Sequence, residues 1–251
     1  MPNLGLGTAL SSSGLITPGV VTSNLVMKHM YPAGAVQPLS DGAVFLDGNG
    51  DYITIGEHSA HAPDNITDMS WIKVAGTPAE SYSRILDRDD VTNDASRGYH
   101  IRYDKDALKW AGVVGNGSAK DVLISSAYSS HPTEWTHVAL TYDGTVGYLY
   151  VDGVRVDTST GVTGNLNDSE VPLYIGRAQA TSNDWDGYIC NVGIWSRALT
   201  QSELKSVMFK GYADLSTSEK TSIVSWWALD EGTGITATDS HGSTNGSATF
   251  A

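Results

Sequence analysis

Short apolar runs that alternate with turn residues constrain the fold of this chain more than any other feature. The clearest turn is Asp152-Gly153, which separates two apolar runs. An Asp-Gly pair in that setting is typical of a tight β-hairpin, because the turn needs positive backbone φ angles that these residues tolerate. Tyr99, Ile101 and Tyr103 alternate with polar neighbours, which indicates a strand with one buried face. Many short strands of this kind predict an all-β sandwich.

One helix is marked by capping signals. Thr200 and Glu203 have the spacing of a capping box, in which each side chain satisfies a free backbone N–H of the other residue. Leu199 and Leu204 stand at the positions of a hydrophobic staple, and Gly211 is placed to end the helix. The sequence therefore predicts one short helix here, and a second helical turn soon after it.

Charge and cysteine content exclude several classes of protein. The 251 residues carry a formal net charge of -13, which repels the phosphates of nucleic acids and of anionic membranes. No stretch approaches the ~20 consecutive apolar residues that a membrane helix needs. The single cysteine, Cys190, has no partner for an internal disulfide and is predicted to be buried on a strand. We expect no nucleic-acid partner and no membrane insertion.

Residues 1–40 differ in composition from the rest of the chain. They are rich in Gly, Ser, Thr, Pro and Val, and Lys28 is their one charged side chain. Prolines such as Pro18 disfavour a helix, and the lack of charge is unlike a solvated disordered tail. We predict that residues 1–40 form an extended N-terminal docking arm and that residues 41–251 form the sandwich.

Seven segments within residues 43–204 carry a family resemblance through their joint order and spacing. They are Ala43-Val44-Phe45-Leu46-Asp47-Gly48, Ser70-Trp71-Ile72, Trp135-Thr136-His137-Val138-Ala139-Leu140-Thr141-Tyr142-Asp143, Tyr148-Leu149-Tyr150-Val151-Asp152-Gly153, Leu173-Tyr174-Ile175-Gly176-Arg177, Asp186-Gly187-Tyr188-Ile189 and Ser196-Arg197-Ala198-Leu199-Thr200. The set resembles the laminin-G-like, concanavalin A-like jelly-roll family. The resemblance implies an all-β sandwich with one or two short helices, here preceded by the extended arm.

The last part of the chain resembles the segment that usually opens such domains. It contains residues 226–234 followed by Asp239-Ser240-His241-Gly242. We therefore interpret residues 223–251 as a rearranged first-strand segment. Because domain termini usually lie close together, such a rearrangement is topologically simple. Residues 223–229 are predicted to pair beside the strand at residues 188–195, with residues 188, 190 and 192 sharing one face.

The resemblance also implies a structural calcium site. Many relatives hold Ca²⁺ with the Asp of this turn, which is Asp239 here, and with an acidic residue in a late strand, where this chain has Asn191. The amide oxygen of Asn191 removes one ligand charge, and Ca²⁺ affinity follows ligand charge. The histidines lack metal-binding spacing: His137 is interpreted as a structural strand residue, and His58 and His61 as solvated loop residues.

Two tryptophans are candidate platforms for a sugar ring. Trp110 and Trp185 lie nearer to turns than the others, so their rings could be exposed. The remaining strand tryptophans are predicted to pack in the sandwich core: Trp71, Trp135, Trp195, Trp226 and Trp227.

A glycoside hydrolase of this fold needs two carboxylates on one strand face. Retaining enzymes place them ~5–5.5 Å apart. Asp87, Asp89 and Asp90 read as a loop cluster, and Asp230 and Glu231 are adjacent and so point to opposite faces. We therefore expect no enzymatic activity.

The first function hypothesis is a structural or adhesive module of a virus particle, such as a bacteriophage capsid decoration or fibre-associated protein. The chain start lacks the basic and apolar runs of a signal peptide, and the arm could reach neighbouring virion proteins. A host-surface glycan is a second expected partner, and self-association stays open. The alternatives are a free carbohydrate-binding lectin domain and a glycoside hydrolase.

Overall fold

The computed structural model describes residues 42–89, 98–168, 170–179 and 183–251. The predicted arm, residues 1–40, lies outside the described residues. The strands are β1 (Val44–Asp47), β2 (Tyr52–Gly56), β3 (Ile66–Val74), β4 (Tyr82–Arg88), β5 (Tyr99–Asp104), β6 (Lys109–Gly115), β7 (Lys120–Ile124), β8 (Thr136–Tyr142), β9 (Gly147–Val151), β10 (Val154–Ser159), β11 (Leu173–Ile175), β12 (Asp186–Trp195), β13 (Ile223–Trp227), β14 (Thr236–Ala237) and β15 (Gly246–Thr249). The predicted all-β class is confirmed.

Within the described residues, the strands form two antiparallel sheets. The seven-stranded sheet has the order β1-β12-β3-β8-β9-β10, with β13 paired to β12 as well. The eight-stranded sheet has the order β14-β15-β2-β11-β4-β5-β6-β7. Inward side chains of both sheets form one hydrophobic core, in which Leu46 of the first sheet and Ile101 of the second are fully buried. The concanavalin A-like sandwich predicted from the sequence is therefore present.

The predicted hairpin and helix are both confirmed. Asp152 and Gly153 join β9 to β10 and have φ angles of 49° and 70°, as a tight turn requires. Helix α1 (Gln201–Val207) begins after Thr200, whose side chain and that of Glu203 form the capping box. The described part of the chain also contains two short 3-10 helices, Ser59–His61 and Tyr212–Asp214. Among the described residues, no helix combines the length and the apolar character that crossing a bilayer demands.

Helix α1 covers part of the outer face of the seven-stranded sheet. Leu204 and Val207 of the helix pack in a buried cluster with Trp195 and Trp226 of the sheet. A neighbouring cluster joins Trp71, Cys190 and Met208, with Trp135 partly buried against it. Trp71, Trp195, Trp226 and Cys190 are buried as predicted. These three tryptophans and the partly buried Trp135 nevertheless pack on the outer face of the sheet, whereas Trp227 lies in the core between the sheets, as predicted.

Strand β12 receives two different partners along one of its edges. β1 pairs with residues 186–189 and β13 with residues 192–195, while β3 pairs along the opposite edge. The predicted pairing of β13 beside β12 is thus confirmed. A bulge at Asn191, with a φ of 49°, lies between the two partners. The bulge shifts the alternation of inward and outward side chains along β12, so Val192 joins the inner core while Cys190 faces outward. The prediction that these two residues share a face is therefore wrong.

One carboxylic acid lies in the core between the sheets. Asp68 on β3 shares its inward face with Ile66 and Ile72, and its register partners Leu140 and Ile194 are fully buried. Neither carboxyl oxygen of Asp68 has a hydrogen-bond partner among the described residues. Burial raises the pKa of Asp68 well above its usual value, which favours the neutral acid over the carboxylate in the folded protein.

Candidate functional site

A row of aromatic side chains crosses the outer face of the seven-stranded sheet. Phe45 on β1 is the register partner of Tyr188 on β12, and Tyr188 is the register partner of Lys73 on β3. Trp135 directly precedes β8, whose first residue Thr136 pairs with the neighbour of Lys73. Phe45, Tyr188, Lys73 and Trp135, here called the aromatic row, thus lie side by side across four chain segments, a span of about 14 Å at ~4.8 Å per strand.

The rings of the aromatic row lie close to one another and partly open to solvent. The centroids of Phe45 and Tyr188 are 5.0 Å apart, and those of Tyr188 and Trp135 are 6.3 Å apart. Phe45 is 44% exposed and Tyr188 is 38% exposed, while Trp135 is half-buried. The row is therefore a nearly continuous apolar surface on a rigid sheet, beside the part of the face that α1 covers.

Charged side chains border the aromatic row. Asp47 and Asp186 are register partners and stand two residues along the strands from Phe45 and Tyr188, which places them on the same face. Burial raises the pKa of Asp186, and the nearby Asp47 adds to the rise. These carboxylates accept hydrogen bonds, and the ammonium of Lys73 within the row donates them. The surface thus combines flat rings with groups that can bind hydroxyls.

The prediction that Trp110 and Trp185 are exposed sugar platforms is wrong. Both side chains are 0% exposed. Trp110 lies on the inner face of β6, with its ring 4.6 Å from Tyr103 and 6.2 Å from Trp185, and its Nε1–H donates to the Tyr128 hydroxyl at 3.1 Å. These tryptophans fill the core, so neither can stack on a ligand.

Asp239 and Asn191 do not fit the predicted calcium site. Oδ1 of Asp239 accepts backbone N–H bonds from Trp226, His241 and Gly242, each at 3.0 Å, and Oδ2 accepts the Thr244 hydroxyl proton at 2.7 Å. Burial acts to raise the pKa of Asp239, but these hydrogen bonds outweigh it and leave the pKa below its usual value. The carboxylate is thus used to fold its own turn.

Asn191 and Asp239 lie on opposite sides of β13. The backbone N–H of Asn191 donates to the Ala228 carbonyl, next to Trp227, whereas Asp239 is bridged to Trp227 from the opposite side. The segment of β13 therefore lies between the backbones of the two residues, which stand two strand spacings, ~9–10 Å, apart. Asn191 serves as the bulge residue, a position whose positive φ asparagine tolerates.

The acidic residues that were predicted to form a loop cluster are buried instead. Asp87 belongs to β4 and Asp89 directly follows it, and both are 0% exposed; Asp90 lies outside the described residues. Their oxygens and the ring nitrogen of His100 lie within 4.8 Å of one another. The loop interpretation is therefore wrong, and two carboxylates do share one end of a strand.

A buried arginine occupies this acidic cluster. Nε of Arg84 lies 3.1 Å from Oδ2 of Asp87, and Nδ1 of His100 lies 3.0 Å from Oδ2 of Asp89. His100 alternates with the core residues Tyr99 and Ile101, so the cluster faces away from the core, on the outer side of the eight-stranded sheet. A guanidinium paired with the carboxylates satisfies their charge, which is the arrangement of a structural ion cluster.

His61 begins a buried hydrogen-bond chain. The prediction of a solvated loop residue is wrong, since His61 is 0% exposed. Its Nε2 lies 3.0 Å from the Ser225 hydroxyl, which lies 3.0 Å from the Thr244 hydroxyl, which donates to Asp239. Each hydroxyl has one proton. Because Thr244 gives its proton to a carboxylate, Ser225 must donate to Thr244, and His61 must donate from Nε2 to Ser225.

This direction excludes serine–histidine catalysis by the pair. A catalytic histidine accepts the proton of the serine, whereas His61 donates to Ser225. Burial lowers the pKa of His61 to about 4, with smaller contributions from His58 and Arg88. His61 is thus a neutral imidazole with its proton on Nε2, and the chain ties the 3-10 helix to β13 and to the turn at Asp239.

Comparison with known proteins gives the class and then the family. Two facing antiparallel sheets with a helix on one outer face define a lectin-type β-sandwich. The laminin G family described as the concanavalin A-like lectin/glucanases superfamily matches residues 47–205. The chain belongs to this superfamily.

Solved structures share the fold. A candidate carbohydrate binding protein from Bacteroides ovatus ATCC 8483 superposes with a TM-score of 0.62 at 20% identity, over 82% of this chain and 57% of that chain. The CBM40 of Ruminococcus gnavus IT-sialidase, bound to α2,3 sialyllactose, superposes with a TM-score of 0.56 at 16% identity, over 70% of this chain and all of that one.

A curated relative is much longer than this chain. Mouse (Mus musculus) pappalysin-1 is 26% identical over 189 residues, which is 70% of this chain. The match covers 12% of that protein. The present chain thus spans about one eighth of the relative's length.

Proposed function

We propose that this protein is a non-enzymatic carbohydrate-binding module that binds a neutral glycan on the aromatic row. The observation that carries the proposal is the alignment of Phe45, Tyr188 and Trp135 on an exposed sheet face. One face of a pyranose ring presents C–H groups, which pack on the electron-rich face of an aromatic ring. Neighbouring hydroxyls then reach the carboxylates and the ammonium beside the row. Two structures of this fold, one named as a carbohydrate binding protein and one bound to sialyllactose, support the binding of a glycan but not its charge.

The charges around the aromatic row favour a neutral glycan. Asp47 and Asp186 contribute two carboxylates and Lys73 one ammonium, within a chain of net charge -13. An acidic sugar would approach like charge, whereas sugar hydroxyls can donate to the carboxylates without repulsion.

Two clusters contain residue types that are found in catalytic sites, and the geometry of each argues against catalysis. Asp87 and Asp89 are buried beside Arg84, so no substrate can reach them in this conformation. The His61–Ser225 pair is also buried, and its proton points in the wrong direction for nucleophile activation. Both clusters are accounted for as structural elements.

Replacing Tyr188 by Ala is expected to weaken glycan binding at least tenfold, because the middle ring of the row is lost. The measurement is binding to an array of immobilised neutral oligosaccharides, with recovery of uncleaved glycan as a check on catalysis. Tyr82→Ala is the matched control, since Tyr82 is similarly exposed at 43% but lies on the other sheet. Equal binding by Tyr188→Ala and wild type, or release of new reducing ends, would contradict the proposal.

We further propose that the module acts on a virus particle, attached through residues 1–40. The support is the uncharged, apolar composition of that segment, including Leu15, Ile16, Val20 and Val21. Such a chain gains little from solvation and can bury its apolar side chains on a neighbouring protein. Removing residues 1–40 should leave glycan binding intact and abolish incorporation into particles, measured by quantifying the protein in purified particles. Normal incorporation of the truncated protein would favour a free lectin domain.

A further inference from the structure

A cavity opens beside Phe45, at the end of the aromatic row. It has a volume of about 250 Å³ and lies between β1 and the β14–β15 edge of the other sheet. Its floor includes the buried side chains of Ile53, Leu229 and Ala237. Since Phe45 belongs both to the row and to the cavity lining, a ligand on the row can extend into the cavity.

The rim of the cavity is unusually apolar. The structure describes ten large apolar side chains that are exposed, and three of them line this cavity: Phe45 at 44%, Ile235 at 59% and Phe250 at 51%. A bare hydroxyl gains no hydrogen bond from these side chains and loses hydration when it is buried among them. The rim therefore favours a ligand group whose outermost atom is a carbon and not a hydroxyl oxygen.

The loop at residues 230–236 adds polar groups to this apolar surface. Oε1 of Glu231 accepts the Thr238 N–H at 2.6 Å, and Oε2 has no hydrogen-bond partner among the described residues. The backbone N–H groups of Gly232 and Thr233 likewise have no partner in the described part of the chain. Gly232 and Gly234 have φ angles of 70° and 86°, a conformation that glycine adopts without strain. The cavity thus combines an acceptor, donors and an apolar wall.

We infer that this cavity binds the acetamido group of an N-acetylated hexosamine, an inference that rests on the proposed glycan-binding function. The acetyl methyl group would contact Ile235 and Phe250, the amide N–H would donate to Glu231, and the amide oxygen would accept from the loop N–H groups. A deoxy sugar offers only the methyl group, and an acetyl ester lacks the N–H. The acetamido group matches all three features of the cavity.

The test compares two trisaccharides that differ only in this group, chitotriose with 2-acetamido groups and cellotriose with 2-hydroxyls, by isothermal titration calorimetry on the full chain. Chitotriose is expected to bind at least tenfold more tightly. Ile235→Ser and Glu231→Met should remove this preference and leave cellotriose binding unchanged. Val156→Ser is the matched control, because Val156 is an exposed apolar residue on β10, far along the sheet order from β1.

The outcomes separate this inference from the function on which it rests. Equal affinities for the two trisaccharides, or a preference that survives both cavity variants, overturn the inference. If another neutral oligosaccharide binds and Tyr188→Ala weakens it, the proposed function still stands. Failure of every neutral glycan to bind the wild-type protein overturns both.

Discussion

As the pH falls from 7 to 4, two buried histidines that must stay neutral in the folded protein are expected to remove about 6 kcal/mol of folding stability, partly offset by the opposite pH dependence of the buried Asp68. His61 has its pKa lowered to about 4, first by burial. Burial alone lowers the pKa of His137 to about 3. His137 packs against Trp71 at 5.3 Å, and neither of its ring nitrogens has a hydrogen-bond partner among the described residues. Each imidazole is therefore trapped in its neutral form.

The direction of this effect follows from the two states. In the unfolded chain both histidines take up a proton near pH 6.5, whereas the folded chain excludes it until pH 4 or below. Stability is thus fully present above pH 6.5 and is lost as the pH falls through the window from 6.5 to about 4, by about 3 kcal/mol for each histidine at pH 4. A typical domain has only ~5–15 kcal/mol in total, so the histidine contribution is large, and the buried Asp68 acts against it as the pH falls.

Urea unfolding at pH 7 and pH 4 measures the effect. His61→Gln retains an N–H donor toward Ser225 but does not titrate, so its loss of stability between pH 7 and pH 4 should be smaller than that of the wild type by about 3 kcal/mol. His241→Gln is the control, since His241 is exposed. The same loss of stability in wild type and His61→Gln would show that His61 is not the responsible group.

Replacing Asp68 by Val is expected to stabilise the protein at pH 7, by about 1–4 kcal/mol. Folding must keep a proton on this buried carboxyl, whose pKa is raised by burial, while the unfolded carboxyl ionises near its ordinary value. For each pH unit above that ordinary pKa, the equilibrium constant for folding falls tenfold, until the pH reaches the pKa of the folded state. The pH dependence of stability that Asp68 causes is thus opposite in sign to that of the histidines, because here stability falls as the pH rises. Val fits a position flanked by Leu140 and Ile194.

Chemical unfolding of wild type, Asp68→Val and Asp68→Asn between pH 5 and pH 8 tests this expectation. Asp68→Asn removes the titration but keeps a polar group, so it should flatten the pH dependence with a smaller gain in stability. A loss of stability in both variants at pH 8 would mean that the carboxylate has a favourable partner in the core.

The sequence was a good guide to the fold because the relevant signals are local. The Asp152-Gly153 turn and the Thr200–Glu203 box each depend on residues within a few positions of one another. The order of the segments along the chain was enough to predict the superfamily. The pairing of β13 with β12 also followed from that order.

The candidate site could not be predicted because it depends on register between distant segments. Phe45, Trp135 and Tyr188 become neighbours only through strand pairing, and Phe45 stands between two apolar residues that hide its outward direction. The exposure of Trp110 was predicted wrongly for a related reason. Its neighbours Ala111 and Val113 on the opposite face of β6 are also buried, at 2% and 1% exposure, so the strand shows no polar alternation.

The divided edge of β12 has a consequence for local motion. β1 is held at that edge by four register pairs, and the bulge at Asn191 separates it from β13. Short edge segments of this kind open more easily than central strands. When β1 detaches from β12, Phe45 leaves the aromatic row, and Ala43 and Val44 leave the cavity lining. The row and the cavity therefore exist only while β1 is docked, so a ligand that bridges them should slow amide hydrogen exchange in β1 more than in β13.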